Sequence, residues 1–249
     1  MKNIILTIWL TMVCFLLLSN VHAWDMPPCL RVDGGVRMWF TSLQGDLVQN
    51  DRTKLDLSDN LGLKRDGLVW DFYASARLYN VHVFRFRAEP YANYEQARGY
   101  SALRVADYRL GYDLDFYMAP QVLFGANFDL EILNVDTRVS NVVVANSVFT
   151  YGDNQTRAIP TIGLHGTFYP IISGISLRPN WFARVNWWDY QTLETWDWET
   201  GAGVDIPVNR LWTWSMSAGY RFWHIKFKRD RDTVDMNTSG FFLETSLLF

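Results

Sequence analysis

Segments in which apolar and polar residues alternate recur along most of this chain. In the segment 240–249 one side carries Phe241, Leu243, Leu247 and Phe249, and the other side carries Glu244 and Ser246 among apolar neighbours. Successive side chains of a β-strand point to opposite faces of the sheet. The alternation therefore predicts a strand that is apolar on one face and partly polar on the other.

We predict ten such strands, near 36–44, 68–78, 81–91, 105–117, 122–133, 157–168, 176–188, 196–207, 211–223 and 240–249. Each is about as long as the roughly 9–11 residues that a tilted strand needs to cross a bilayer. Connections after the even-numbered strands are short, and those after the odd-numbered strands are mostly longer and more polar, as is typical of periplasmic turns and outer loops. The count becomes eight if 189–207 pairs differently, and twelve if 134–156 adds two strands.

Charged residues inside these windows lie opposite the apolar face of their strand. A soluble sandwich would turn its apolar face inward and its charges toward water, whereas a membrane barrel does the reverse. We therefore predict an all-β fold, a single antiparallel up-and-down transmembrane β-barrel of about ten strands. The charges predicted to form its lumen network are Arg77, Arg85, Arg87, Arg109, Arg184, Arg221, Asp113, Asp115, Asp129, Glu131, Asp197 and Glu199.

Arginine supplies all the positive charge that the pattern turns inward, including Arg157 and Arg178. Its planar fork binds carboxylates in a bidentate manner, and a ten-stranded barrel is narrow. We therefore expect Arg–carboxylate pairs to close most of the lumen. Tracing the strand directions also predicts an acidic outer vestibule, in which Asp71, Glu89 and Asp107 join Asp129, Glu131, Asp197 and Glu199 and face fewer arginines.

Tryptophans mark the two expected membrane interfaces. Rings with an apolar body and a polar handle favour these interfaces. We place Trp70, Trp187, Trp196 and Trp198 near the outer rim, and Trp212 and Trp214 just above a periplasmic turn.

The front of the chain predicts export. Lys2 precedes the apolar run 4–18, and small residues around Ala23 suit cleavage, so we expect 1–23 to be a signal peptide and 24–249 to be the barrel domain. Cys29 would then be the only cysteine, which excludes an internal disulfide or a metal site of cysteines. The net charge of −3 argues against a nucleic-acid partner. We expect no cofactor and no metal.

Signal peptide, alternating strands, aromatic belts and the terminal Phe249 together resemble the small outer-membrane β-barrel proteins of Gram-negative bacteria. The resemblance implies a bacterial outer-membrane location, contact with lipopolysaccharide, and insertion by the barrel-assembly machinery. It carries no activity across. We expect a structural or surface-binding protein whose external loops contact lipopolysaccharide or extracellular partners.

Two other functions stay open at this point. One is a narrow channel for small solutes, and the other is an outer-membrane hydrolase, either omptin-like or lipid A-modifying. A hydrolase needs a histidine and acids together at one rim. His82, His165 and His224 show no partner at a telling spacing in the sequence.

Phe249 ends an alternating strand, and we expect it to be part of the signal read during insertion. Deleting Phe249, or replacing it with a charged residue, should lower the amount of folded, heat-modifiable barrel in the outer membrane. Gel mobility of unheated and heated membrane fractions measures this. Unchanged levels of folded barrel would argue against the assignment.

Overall fold

A computed structural model describes residues 30–49, 53–95, 101–119, 121–144, 147–170, 177–190, 192–209, 212–229 and 232–249. The predicted signal peptide 1–23 and Cys29 lie outside these residues. The strands are β1 (Leu30–Gln49), β2 (Thr53–Asp56), β3 (Asp66–Leu78), β4 (His82–Glu95), β5 (Ser101–Ala119), β6 (Val122–Val144), β7 (Ser147–Phe168), β8 (Arg178–Tyr190), β9 (Leu193–Pro207), β10 (Thr213–Arg229) and β11 (Asp232–Leu248).

Ten strands form a closed antiparallel barrel, as the sequence predicts. Each long strand pairs with the next along the chain, and β1 pairs with β11 from Asp33 opposite Leu248 to Val48 opposite Thr233. Closure leaves no sheet edge in the lipid, where backbone groups have no water to bond. The short β2 folds back on β1. The region 189–207 pairs regularly in β8 and β9, and 134–156 lengthens β6 and β7 without adding strands.

Four neighbouring strands continue outward as a panel of their own. The β7–β8 ladder begins at Ile162 opposite Trp187, and the β3–β4 ladder ends at Phe72 opposite Ala88. Beyond these points β4, β5, β6 and β7 stay paired with one another, with β6 and β7 reaching 23 and 22 residues. Pro160 fits here because β7 borders only β6 at that height, and proline suits a strand with one free side.

The outside of the barrel carries a belt of exposed apolar side chains. Its members, here called the apolar belt, include Phe40, Leu68, Trp70, Phe72, Phe84, Phe86, Tyr108, Leu110, Phe124, Phe128, Leu130, Ile132, Ile162, Leu164, Trp181, Trp187, Trp196, Trp214, Met216, Phe241 and Leu243. An exposed apolar surface of this extent marks contact with a membrane or a partner. On a closed barrel that surrounds buried charges, it is the surface that lipid covers.

No helix among the described residues has the length and apolar character needed to cross a membrane.

At the outer ends of the strands the two faces exchange chemical character: the inward face becomes apolar and the outward face becomes polar. On β10, Arg221 faces the lumen beside outward Phe222, but four residues later Ile225 is buried and Lys226 is exposed. On β6, buried Glu131 beside exposed Ile132 gives way to buried Val135. The strands therefore leave the lipid at this height, because polar side chains now face outward and apolar ones face the interior.

The inverted segments enclose a second, apolar interior above the charged one. It is here called the apolar core, and its members include Leu43, Leu47, Tyr94, Leu103, Val105, Leu133, Val135, Val139, Ile159, Trp223, Ile225, Phe227, Val234 and Met236. The segment 53–63, here called the plug segment, adds Leu55, Leu57, Leu61 and Leu63, each at most 4% exposed. The pattern predicts a long polar outer loop at 45–67, and for 53–63 this prediction is wrong. Removing four leucine side chains from water is favourable, so this segment folds inward instead of extending into solvent.

Backbone hydrogen bonds hold the plug segment in the mouth of the barrel. The Leu57 amide donates to the Gly45 carbonyl at 2.9 Å, and the Leu63 amide donates to the Leu57 carbonyl at 3.0 Å. The Asp56 carboxylate accepts the amides of Ser58 and Asp59 at 2.8 and 2.7 Å. The hydrogen bond from the Asp59 amide is the main cause that lowers the pKa of Asp56 below its usual value.

The depressed pKa of Asp56 predicts that acid loosens the plug segment. A carboxylate whose pKa is lower in the folded state stabilises the fold above its unfolded pKa, and this contribution is lost as pH falls through the folded value. Protection of the Leu57, Leu61 and Leu63 amides against hydrogen exchange, taken relative to the intrinsic exchange rate at each pH, should therefore fall below about pH 4. Asp56→Ala should lower this protection at neutral pH as well. Asp59→Ala is the control, because the exposed Asp59 carboxylate bonds the side chains of Arg65 and Ser58, whereas the Asp56 carboxylate holds backbone amides; an equal effect in both variants would contradict the assignment.

Candidate functional site

The lumen beneath the apolar core is filled with paired charges. Residues of one parity on each strand face inward, so cross-strand register alone brings Arg37 opposite Asp71, Arg109 opposite Glu131, and Arg221 opposite Glu199. Directly opposite side chains on antiparallel strands are close enough to interact. The ionic layer, as we call it, consists of Arg37, Arg77, Arg85, Arg87, Arg109, Arg184, Arg221, Asp71, Glu89, Asp107, Asp113, Asp115, Asp129, Glu131, Asp197, Glu199 and Glu244.

Arg221 occupies the top of the ionic layer. Its side chain is completely buried, its Nη2 lies 2.9 Å from Asp197, and its Nη1 bonds Glu89. Because β10 and β4 are not neighbours, the bond to Glu89 spans the lumen. The guanidinium also lies 4.5 Å from the ring centroid of Trp39, a member of the apolar core. Arg221 therefore joins the ionic layer to the core above it.

Arg109 sits beside Arg221 and is also buried. Its Nε donates to Asp107 at 2.6 Å, its Nη1 donates to Asp197 at 2.5 Å, and its Nη2 lies 3.5 Å from Glu131. Asp197 on β9 thus binds arginines from both β5 and β10. This sharing ties three strands of the barrel together.

Further ion pairs, within strands, between neighbouring strands and across the lumen, fill the middle of the barrel. Arg37 on β1 lies 2.6 Å from Glu199 on β9 and 2.5 Å from Glu244. Arg85 lies 2.7 Å from Asp113 and 2.8 Å from Asp129. The remaining pairs here are Arg184–Asp113 at 2.9 Å, Arg87–Glu89 at 3.0 Å and Arg87–Asp71.

One small cavity of about 10 Å³ lies within the described part of this layer, lined by Arg85, Arg87, Arg109, Asp129, Arg184, Asn186, Asp197 and Glu199. This is about the space that one water molecule needs. Buried Arg85 Nε, Arg87 Nε, Arg109 Nη2 and Arg184 Nη1 have no hydrogen-bond partner among the described residues.

Asp113, Asp115 and His165 meet in the periplasmic half of the lumen. Their ligand atoms lie within 4.8 Å of one another, and His165 Nε2 is 2.7 Å from Asp115. Arginines already neutralise both carboxylates, since Arg77 lies 2.5 Å from Asp115, and Arg85 and Arg184 bind Asp113. A metal ion would have to displace these arginines. The cluster is therefore better suited to hold the barrel together than to hold a metal.

The prediction of an acidic outer vestibule is wrong. Asp71, Glu89, Asp107, Asp129, Glu131 and Asp197 are at most 6% exposed and lie below the apolar core. They bind arginines rather than facing an open mouth. Arg157, midway along β7, and Arg178, at the start of β8, are by contrast exposed and do not belong to the ionic layer.

The predicted belt and terminal residues face outward in the structure. Trp70, Trp187, Trp196, Trp212 and Trp214 are 39–46% exposed, and Trp198 is half-buried against Tyr220 and Phe222. Phe241, Leu243, Leu247 and Phe249 are likewise exposed.

Each described histidine has a partner that the sequence did not reveal, because strand register creates it. His82 Nδ1 is 2.7 Å from the Tyr112 hydroxyl, and His224 Nδ1 is 2.7 Å from Asn237 Oδ1. His165 bonds Asp115 from a strand two positions away.

No family model and no curated protein matches this chain. Solved structures do. The outer membrane protease OmpT from Escherichia coli superposes with a TM-score of 0.51 at 8% identity, over 93% of this chain and 99% of that one. The beta domain of the Bordetella autotransporter BrkA gives 0.43 at 12% identity, over 89% and 99%. A Pseudomonas aeruginosa FadL homologue gives 0.39 at 8%, over 89% and 90%.

The fold is that of the bacterial outer-membrane β-barrels. At identities this low the likeness concerns the fold alone. Together with the apolar belt around the closed barrel, it makes this chain an outer-membrane protein.

The buried position of Arg221 predicts a large effect on stability. Arg221→Ala leaves Glu89 and Asp197 each without one of its arginine partners in a buried layer, which should lower the free energy of unfolding by about 3–5 kcal/mol. Urea titration of the folded barrel in detergent, followed by gel mobility, measures this. Arg138→Ala is the matched control, since its pair with Asp136 is exposed and should contribute about 1 kcal/mol at most. Equal losses in the two variants would contradict the assignment.

Proposed function

We propose that this protein is a closed outer-membrane barrel of structural or surface-binding type, which holds rigid strands outside the membrane for contact with lipopolysaccharide or extracellular partners. The observation that carries the proposal is the two-layered filling of the lumen. An apolar core lies across the outer half, and a layer of paired charges lies beneath it.

Both layers argue against a solute channel. A hydrated solute entering from outside meets the buried leucines of the plug segment first, and apolar contacts cannot replace its water. Below them, the cavity in the described part of the ionic layer has room for about one water molecule. Cross-lumen pairs such as Arg37–Glu199 and Arg109–Asp197 bridge the remaining space. Solute passage would require both layers to rearrange.

The arrangement of histidines and acids also favours a binding role over hydrolysis. His165 meets Asp113 and Asp115 inside the lumen rather than at the outer rim, and arginines hold both carboxylates. His224 does meet acids at the outer rim, 3.9 Å from Glu194 and 3.8 Å from Asp235, but it points outward and its Nδ1 is bonded to Asn237 Oδ1 at 2.7 Å. The likeness to a protease lies far below the identity at which activity could be carried over.

Outward polar residues above the apolar belt supply the contact surface. Lys226 and Lys228 are exposed on β10, above belt residue Trp196. Lysine ammonium groups at this height suit the phosphates of lipopolysaccharide. The panel of β4–β7 adds a second outward polar surface on the far side of the barrel.

Conductance in planar bilayers tests the closed lumen. The wild-type barrel should give no stepwise conductance. Replacing the plug segment 53–63 with a short Gly-Ser linker should still give none, because the ionic layer remains. Arg85→Gln with Arg87→Gln should also give none, because the apolar core remains. Only the combined variant should open.

A lumen closed by Arg–carboxylate pairs alone, as the sequence predicts, would open when inward arginines are removed, so the double-arginine variant distinguishes that arrangement from the two-layered filling. All variants are first checked for heat-modifiable folding. Lys226→Ala with Lys228→Ala is the matched surface control and should leave the barrel closed. Stepwise conductance of the wild-type protein would overturn the proposal and favour the channel.

A further inference from the structure

A polar groove crosses the outer face of the β4–β7 panel. Strand register sets Asn93 opposite Arg104, Arg104 opposite Asp136, and Asp136 opposite Asn154, so the four residues form one row over four strands. With Asn134 they line an open groove of about 380 Å³. This lies within the roughly 300–1,000 Å³ of small-ligand sites. The opposite face of the same panel is buried in the apolar core, so the groove has a firm floor.

The height of the groove places it in the headgroup region of the outer leaflet. Ile132 and Tyr108, which pair with each other, form the last row of exposed large apolar side chains among the described side chains of these strands. Asn134 and Asp136 follow Ile132 by two and four residues. At about 3.3 Å per residue the groove lies roughly 7–13 Å beyond the lipid-facing row along the strand, and a strand tilt of about 35–45° makes this roughly 5–10 Å in height. It opens sideways, toward the molecules that surround the barrel.

The groove offers amide groups and balanced charge. Arg104 Nη2 donates to Glu95 at 3.0 Å, and Arg138 Nη2 donates to Asp136 at 2.9 Å, so neighbouring ions offset both charges of the row. Phosphate recognition calls for cations that are not already offset. Side-chain amides instead present donors and acceptors together, which is the pattern that hydroxyl groups match.

The amides are also fixed in place. Asn134 Nδ2 donates to Asn154 Oδ1 at 3.1 Å and to Thr156 Oγ1 at 2.9 Å. Side chains held on a regular ladder lose little freedom when a ligand binds, which favours affinity.

We propose that this groove binds the saccharide headgroup of the glycolipid in the leaflet that surrounds the barrel. This inference rests on the proposed surface-binding function and names one site for it. A lipid-anchored sugar is the occupant because the groove opens at the barrel wall directly above the acyl-chain region, where such a headgroup is held next to it.

The test titrates purified barrel, in nanodiscs of phosphatidylethanolamine, with lipopolysaccharide. Asn134→Ala with Asn154→Ala removes two amides from exposed positions and should weaken binding about tenfold or more. Asn93→Trp should weaken it to a similar extent by filling the groove. Gln44→Ala is the matched control, because Gln44 is an exposed amide four residues beyond belt residue Phe40 on β1, across the barrel. Heat-modifiable folding of every variant is confirmed first.

Weaker binding in the two groove variants, with Gln44→Ala like wild type, supports the groove as the site. Equal binding by wild type and groove variants overturns the groove but leaves the surface-binding function standing. If wild type binds no lipopolysaccharide, the groove is overturned, while the bilayer conductance of the same protein still decides whether the lumen is closed. Oligosaccharide freed of its acyl chains should bind more weakly than the intact glycolipid; equal affinity for both would overturn the lipid-anchored source.

Discussion

Ion pairs across the lumen are the interactions on which this barrel depends. Lipid outside requires a closed cylinder with apolar side chains on its surface, and strand alternation then turns every second residue inward. In this chain many of those residues are charged, and an unpaired buried charge is strongly destabilising. The pairs Arg37–Glu199, Arg109–Asp197 and Arg221–Glu89 join strands that are not neighbours. They therefore satisfy the charges and also tie opposite walls together.

The outer end of the barrel follows a different rule. Where the strands leave the lipid, water replaces acyl chains as their outer neighbour, and the two faces exchange roles. The interior there is packed as in a soluble protein, with Trp223, Ile225 and the leucines of the plug segment buried together. Arg221, stacked on Trp39, lies at the boundary between the two interiors. One chain thus carries a membrane barrel and a soluble-type core in a single sheet.

The sequence predicts most of the barrel but only part of its interior. Strict alternation in segments such as 105–117 and 122–133 is enough to predict the number of strands, their directions and the inward position of arginines such as Arg109. The apolar core was missed because each predicted strand stopped near the point where its alternation changed phase. The change is itself a readable signal, since Trp223, Ile225 and Phe227 continue the face of Arg221.

Pairings across the lumen could not be predicted in the same way. His165 meets Asp115 and Arg221 meets Glu89 only because the cylinder closes with a particular stagger. A single sequence does not encode that stagger in any local pattern. The polar groove was hidden for the same reason, because its row of four residues comes from four different strands.

The β4–β7 panel has a consequence for how the cell surface meets this protein. Many outer-membrane proteins contact their surroundings through long loops, which must become ordered on encounter. Here the projecting surface is a hydrogen-bonded sheet with an apolar backing, already fixed in shape before any encounter. Binding at this surface should therefore be selective for the shape of the ligand. Insertions in the β4–β5 and β6–β7 hairpins should be tolerated only beyond the last backbone hydrogen bonds that join their strands.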